Sequence, residues 1–173
     1  MTWNKFNIRL GLLVFFTIAL NQSCGIYSLS GVNIPPDIKS ISISYFPNQA
    51  PQVAPTLSQV FTEKLRDKFQ NETKLFLQPE QGDYQIAGVI SQYSIQPVSI
   101  GGNTAATENR LTIATNVEFI CPKYPDMNFS KSFSNFLNFD ASRNLSPELE
   151  WQLIDQVSEM LVQDIFNAIA LKW

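Results

Sequence analysis

The sequence predicts an α+β two-layer sandwich, with two helices packed on one face of a mixed, mostly antiparallel sheet of four to five strands. Three observations carry this. The apolar residues change period along the chain in the order strand, helix, short strand, three-stranded meander, long helix. Arg110 to Ile120 alternates strictly, with Leu111, Ile113, Thr115, Val117 and Phe119 on one face and Arg110, Thr112, Ala114, Asn116 and Glu118 on the other. Leu149, Leu153, Val157, Leu161, Ile165 and Ile169 recur every four residues, the apolar stripe of one long amphipathic helix.

The chain begins with a different kind of segment. Met1 to Arg9 holds Lys5 and Arg9 and no acid, and Leu10 to Leu20 is an apolar run broken only by Gly11 and Thr17. A run of that length suits a secretory leader, whose apolar core is about 7–15 residues, and falls short of the ~20 residues that cross a bilayer. Asn21-Gln22-Ser23 then leads to Cys24, the place where a bacterial lipoprotein leader puts the cysteine that is acylated and becomes the mature N-terminus. Residues 1–23 are therefore read as a signal peptide, Cys24 as the lipidation site and 24–36 as a tether in which Pro35-Pro36 forbids a regular helix. The competing reading is ordinary secretion with cleavage near Ser23, leaving Cys24 as a free or disulfide-forming thiol.

Residues 37–173 make one domain by size. Ile41 to Phe46 alternates apolar and polar before Pro47-Asn48, a first strand with a clear stop. From Thr56 the period lengthens, and Leu57, Val60, Phe61, Leu65 and Phe69 form a helical stripe that Thr56 and Gln59 are expected to open as a capping box. A short strand at Leu75-Phe76-Leu77 follows. Asp83 to Ile95 is apolar on both faces and reads as a central strand covered on both sides for part of its length. The Gln96 to Asn109 connection is long for a hairpin, which marks a partner or ligand loop or a flexible one. Asn128 to Asp140 interleaves Phe129, Phe133, Phe136 and Phe139 with Ser and Asn, a strand with aromatic rings on both faces. Those rings are either ordinary core or a surface that docks another protein. Ser146-Pro147-Glu148 supplies an N-cap, a proline at the first helical position and first-turn acids for the last helix.

Charge and composition exclude much. Removing Lys5 and Arg9 with the leader leaves ten basic and fifteen acidic residues, a net of −5, which disfavours nucleic acid as a partner. There is no histidine, and Cys121 is the one thiol besides Cys24, so the usual general base and metal ligands are missing. No cofactor and no metal site is expected, and Cys121 reads as a structural thiol. Glu148 and Glu150 suit helix capping better than a catalytic carboxylate pair, so the chain is not read as an enzyme.

Four stretches in order, Cys24-Gly25-Ile26-Tyr27-Ser28-Leu29-Ser30-Gly31, Tyr45-Phe46-Pro47-Asn48, Asn109-Arg110-Leu111-Thr112-Ile113 and Lys131-Ser132-Phe133-Ser134, together with the near-terminal Trp173, carry a likeness to a known family. The chain resembles the LptE family of lipopolysaccharide-assembly lipoproteins, in a branch distant from the enteric one. The resemblance implies a palmitate-bearing, periplasm-facing lipoprotein of the outer membrane that sits in the lumen of an LptD-type β-barrel as plug and assembly partner and catalyses nothing. It also implies contact with lipopolysaccharide through basic loop residues. Arg110 and Arg143 lie on connections that a meander brings to one end of the sheet, where two guanidinium groups can share a phosphate. The rival reading is a periplasmic lipoprotein of the same fold that binds a small ligand or pilots another secretion pore.

Overall fold

The computed structural model describes residues 32–52, 54–98 and 108–171. Val32 to Trp173 falls into one compact unit. Its elements run β1 (Ser40–Ile43), α1 (Leu57–Glu72), β2 (Phe76–Gln78), β3 (Tyr84–Val98), β4 (Glu108–Ile120), β5 (Phe129–Asp140) and α2 (Pro147–Ala170), with a 3₁₀ turn at Pro125–Met127 before β5. The strands form a single open sheet in the order β2-β1-β3-β4-β5. Both helices cover one face of it, as the two-layer reading expects.

The sheet is mixed rather than mostly antiparallel. The β1 strand pairs parallel to both β2 and β3, and only the β3-β4-β5 meander is antiparallel. Two parallel pairings arise because each of two connections returns the chain to the end at which β1 starts. The first is α1, on the core side. The second is the five-residue stretch Pro79 to Asp83, which passes over the outer side of β1, where Gly82 donates its N–H to Ser42 Oγ at 3.3 Å. A Cβ at Gly82 would lie 2.5 Å from Ser42 N and 2.6 Å from the Ile41 carbonyl carbon, so this position has no room for a side chain. Gln81 beside it takes φ 54°, the left-handed conformation that lets the chain turn so tightly.

The β3 strand departs from the expectation of two covered faces. Its register with β4 slips between Ile90 and Gln92, so Ser91 is a bulge and the inward parity switches. Tyr84, Ile86 and Ile90 point inward before it, and Tyr93 after it. The apolar residues that seemed to occupy two faces therefore mostly serve one. Gly88 lies opposite Val117, and a Cβ there would clash with the Asn116 carbonyl oxygen and lie 2.6 Å from Phe46 Cε1. The missing side chain makes the space in which the fully buried Phe46 ring sits, edge-on to Phe61 at 5.1 Å.

The core is one cluster that joins Ile41, Phe61, Leu65 and Phe69 to Leu111, Phe119, Val157, Leu161 and Phe166. Each fully buried side chain of this size contributes roughly 1.5–3 kcal/mol of hydrophobic stabilisation. The helix α2 starts as its sequence indicates, with the Leu149 N–H donating to Ser146 Oγ at 3.2 Å and Pro147 in the first turn. The expected capping box at α1 does not form. Thr56 is in the αR region, out of the extended geometry that a side-chain cap needs, and Gln59 reaches forward to Glu63 instead.

Three buried hydroxyls, on Tyr84, Thr115 and Ser158, lack a partner among the described residues. An unpaired buried polar group costs about 1–3 kcal/mol. Thr115→Val keeps the shape and removes the orphan, and is expected to raise stability by about 1 kcal/mol, read as a higher urea midpoint at unchanged m-value. An equal or lower midpoint would mean that the hydroxyl is satisfied in solution.

Candidate functional site

The meander returns the chain to one end of the domain, and the strand register defines that end. Val98 pairs with Glu108, and Glu108 pairs with Asp140. The two connections expected to share an end therefore do so, although 99–107 of the long one lie outside the described residues. At the other end stand Tyr84, Ile120 and the last turn of α2. There Asn33 N–H donates to the Ala170 carbonyl at 2.9 Å, fixing where the N-terminal segment joins the domain.

Among the described residues, the outer face of the sheet is left uncovered by the helices, and only the Pro79 to Asp83 crossing lies on it. Even-numbered positions of β4 and β5 point there, among them Thr112, Asn116, Ser130, Ser132 and Ser134. The middle of this face is a surface of mostly uncharged polar groups, with Glu118 and Asp140 exposed on the same parity toward its two ends. One patch on it differs. Arg110 donates from Nε to Asn138 Oδ1 at 2.9 Å, and its guanidinium lies 4.1 Å from the centroid of the Phe136 ring. Asn138 in turn donates to Glu108 Oε2 at 2.9 Å. The cluster follows from register, since Arg110 pairs with Asn138 and Phe136 is its diagonal neighbour on the same face. Phe136 is 50% exposed.

The four rings of β5 separate by parity. Phe133 and Phe139 are buried under the helices, and Phe129 also faces inward, 5.4 Å from Phe119. Only Phe136 has an even number and points out. An expectation of several docking rings thus narrows to one, because residues four and six apart on a strand lie on the same face. Lys131 stands on the inward parity at the sheet edge, with Nζ 4.9 Å from the Phe133 ring.

Arg143 lies in the turn after β5, where its N–H donates to the Asp140 carbonyl at 3.1 Å. The Ser142 side chain and backbone N–H, with Arg143 nearby, hold the Asp140 carboxyl below its usual range. Arg110 and Arg143 share an end of the sheet, but no hydrogen bond or ion pair joins them among the described residues. Arg110 lies along the face toward Asn138. Cys24 lies outside the described residues. Cys121 is buried and unpaired, and its N–H donates to Asn128 Oδ1 at 2.7 Å. Among the described residues there is no cluster of three metal-type side chains, and no helix is long and apolar enough to cross a membrane.

Sequence reasoning missed a polar network at the tether end. Asp83 Oδ2 accepts from the backbone N–H groups of Lys39 and Ser40 at 2.8 and 3.1 Å, and Asp83 Oδ1 pairs with Lys123 Nζ at 2.9 Å. The Lys39 N–H and then the Lys123 ammonium hold the Asp83 carboxyl far below the ordinary carboxylate range. Lys123 also donates to the Asp37 carbonyl at 2.7 Å, and the Tyr124 hydroxyl donates to Asp37 Oδ1 at 2.9 Å. The network joins β1, β3 and the β4-β5 connection, and its one signal in the sequence is the turn-like Gln81-Gly82-Asp83.

The profile of the LptE lipopolysaccharide-assembly family matches residues 38–169. No curated relative matches the sequence. Among solved structures, the minor lipoprotein from Acinetobacter baumannii superposes with a TM-score of 0.52 at 14% identity, covering 76% of this chain and 92% of that one. The hypothetical protein CT253 from Chlamydia trachomatis superposes with a TM-score of 0.56 at 9% identity, covering 74% and 93%. At such identities the two structures bear on the fold alone. The family profile spans every strand and nearly all of both helices, and the chain belongs to the LptE lipopolysaccharide-assembly family.

Proposed function

We propose that this protein is an outer-membrane lipoprotein, anchored through Cys24 and facing the periplasm, that acts as plug and assembly partner of an LptD-like β-barrel in lipopolysaccharide transport to the outer leaflet. The observation that carries the reading is the uncovered outer face of the sheet. Large barrels have polar interiors, and a plug must present a polar surface to match. Thr112, Asn116 and the serines of β5 supply neutral hydrogen-bonding groups across the middle of the face, Glu118 and Asp140 add exposed carboxylates toward its ends, and Arg110 on Phe136 supplies one aromatic and guanidinium anchor. Arg and aromatic residues dominate interface hot spots. Arg110 and Arg143, at the end of the sheet, are the proposed contacts for lipopolysaccharide phosphate, and the mechanism is binding without a chemical step.

The Phe136→Glu variant tests the face. A lost hot spot costs about 2 kcal/mol, roughly thirty-fold in Kd. The variant is expected to lose co-purification with the barrel after mild detergent extraction while keeping its circular dichroism spectrum. Undiminished co-purification would remove this face from the interface, and a wild-type protein that leaves the membrane without any barrel would favour the small-ligand or pilot reading.

A further inference from the structure

We propose that the tether end of the domain is a membrane-contact surface that seats Phe76 in the headgroup layer of an anionic phospholipid bilayer, with Lys39 and Lys74 over the lipid phosphates. This rests on the anchored reading of Cys24. Three residues with exposed apolar side chains, from three separate elements, lie next to the short segment Asn33 to Lys39. Phe76, on β2, is 72% exposed, and its N–H donates to the Lys39 carbonyl at 2.9 Å. Tyr124, in the β4-β5 connection, donates to Asp37. Leu171 follows Ala170, whose carbonyl accepts from Asn33. All three are large apolar groups left in solvent by the fold.

Their position selects the occupant. The seven residues between Cys24 and Val32 reach at most about 28 Å when fully extended, so an acylated Cys24 keeps this end within that distance of the bilayer. The opposite end is carried away by the length of α2, roughly 36 Å for its 24 residues. Lys39 and Lys74 are exposed and make no ion pair among the described residues, whereas the nearby Asp83 charge is met by Lys123. Glu108, Asp140, Glu148 and Glu150 lie at the far end, and of the acids at the tether end Asp83 is met by Lys123 and Asp37 accepts from Tyr124, while Glu80 and Asp126 are exposed beside them. Amphipathic aromatic rings beside basic residues are the composition of a membrane interface.

The test uses the protein purified from membranes of cells expressing the full-length gene product, reconstituted into vesicles of phosphatidylethanolamine with phosphatidylglycerol, and into vesicles of phosphatidylcholine alone. Flotation with both kinds reports the anchor. A water-soluble amine reagent then reads each lysine, and Lys39 and Lys74 are expected to react about five-fold more slowly in the anionic vesicles, the effect of one surface-bound charge. Lys64, midway along α1, is expected to react alike in both. Raising salt should restore the two rates, and Phe76→Ser should restore them in part. Protein that floats yet shows equal rates for Lys39 and Lys74 in both vesicles overturns the contact surface and leaves the anchor standing. Protein that fails to float overturns the anchor and the surface together.

Discussion

Gly82→Ala is expected to destabilise the protein by about 3 kcal/mol, more than a change of one methyl group does at most positions. The cause is the crossing of β1 by Pro79 to Asp83. A Cβ at this position meets Ser42 N at 2.5 Å, the Ile41 carbonyl carbon at 2.6 Å and the Tyr84 carbonyl oxygen at 2.7 Å. All three are backbone atoms of paired strands, so no side-chain rotation relieves the contact. Overpacking costs about 1–3 kcal/mol where neighbours yield, and a site walled by backbone lies at the top of that range. The strain would also pull Asp83 from the N–H groups of Lys39 and Ser40, because Asp83 is the next residue. Urea unfolding should show a lower midpoint at an unchanged m-value. An unchanged midpoint would mean that Pro79 to Asp83 does not lie on β1, and the parallel pairing of β1 with β3 would lose its explanation.

That crossing also marks where the sequence stopped being informative. The elements were legible because each carries its own period. Leu111 to Phe119 alternates cleanly, and its five predicted inward residues are all buried. The Leu149 to Ile169 stripe is buried along its length, and Ser146 caps it. Strand order was not legible, since nothing in Phe76-Leu77-Gln78 states whether its partner is parallel or antiparallel, and the Gly82 contact exists only once β1 lies beneath it. The bulge at Ser91 misled for a related reason. An inserted residue turns a one-faced pattern into an apparent two-faced one, and only the pairing with β4 separates them.

The candidate site was legible to the same degree. Parity alone assigns Phe136 to one face of β5 and Phe129, Phe133 and Phe139 to the other, but which face the helices cover is a tertiary fact. The Arg110 and Phe136 contact needs the β4-β5 register, which the sequence leaves open. The shared end of Arg110 and Arg143 was legible, since it follows from a meander of antiparallel strands; the direction of the Arg110 side chain toward Asn138 was not.

Cys24→Ala is expected to abolish membrane attachment, the largest functional effect any single substitution here should have. No helix among the described residues is long and apolar enough to span a bilayer, and the proposed attachment is through acyl chains on Cys24. Acyl chains contribute about 0.8 kcal/mol per buried CH₂, so two or three chains on one cysteine hold a protein essentially permanently. Surface contact through Phe76 and two lysines is far weaker and falls with salt. Wild type should therefore incorporate radioactive fatty acid and stay with the outer membrane through a salt wash. The Cys24→Ala chain should take up no label and leave the membrane in the same wash. Label on the variant, or none on wild type, would reject lipidation at Cys24. A variant that carries no label yet resists the salt wash only in the presence of the barrel would place the second hold in the protein partner, and the Phe136→Glu substitution made in that background should then release it.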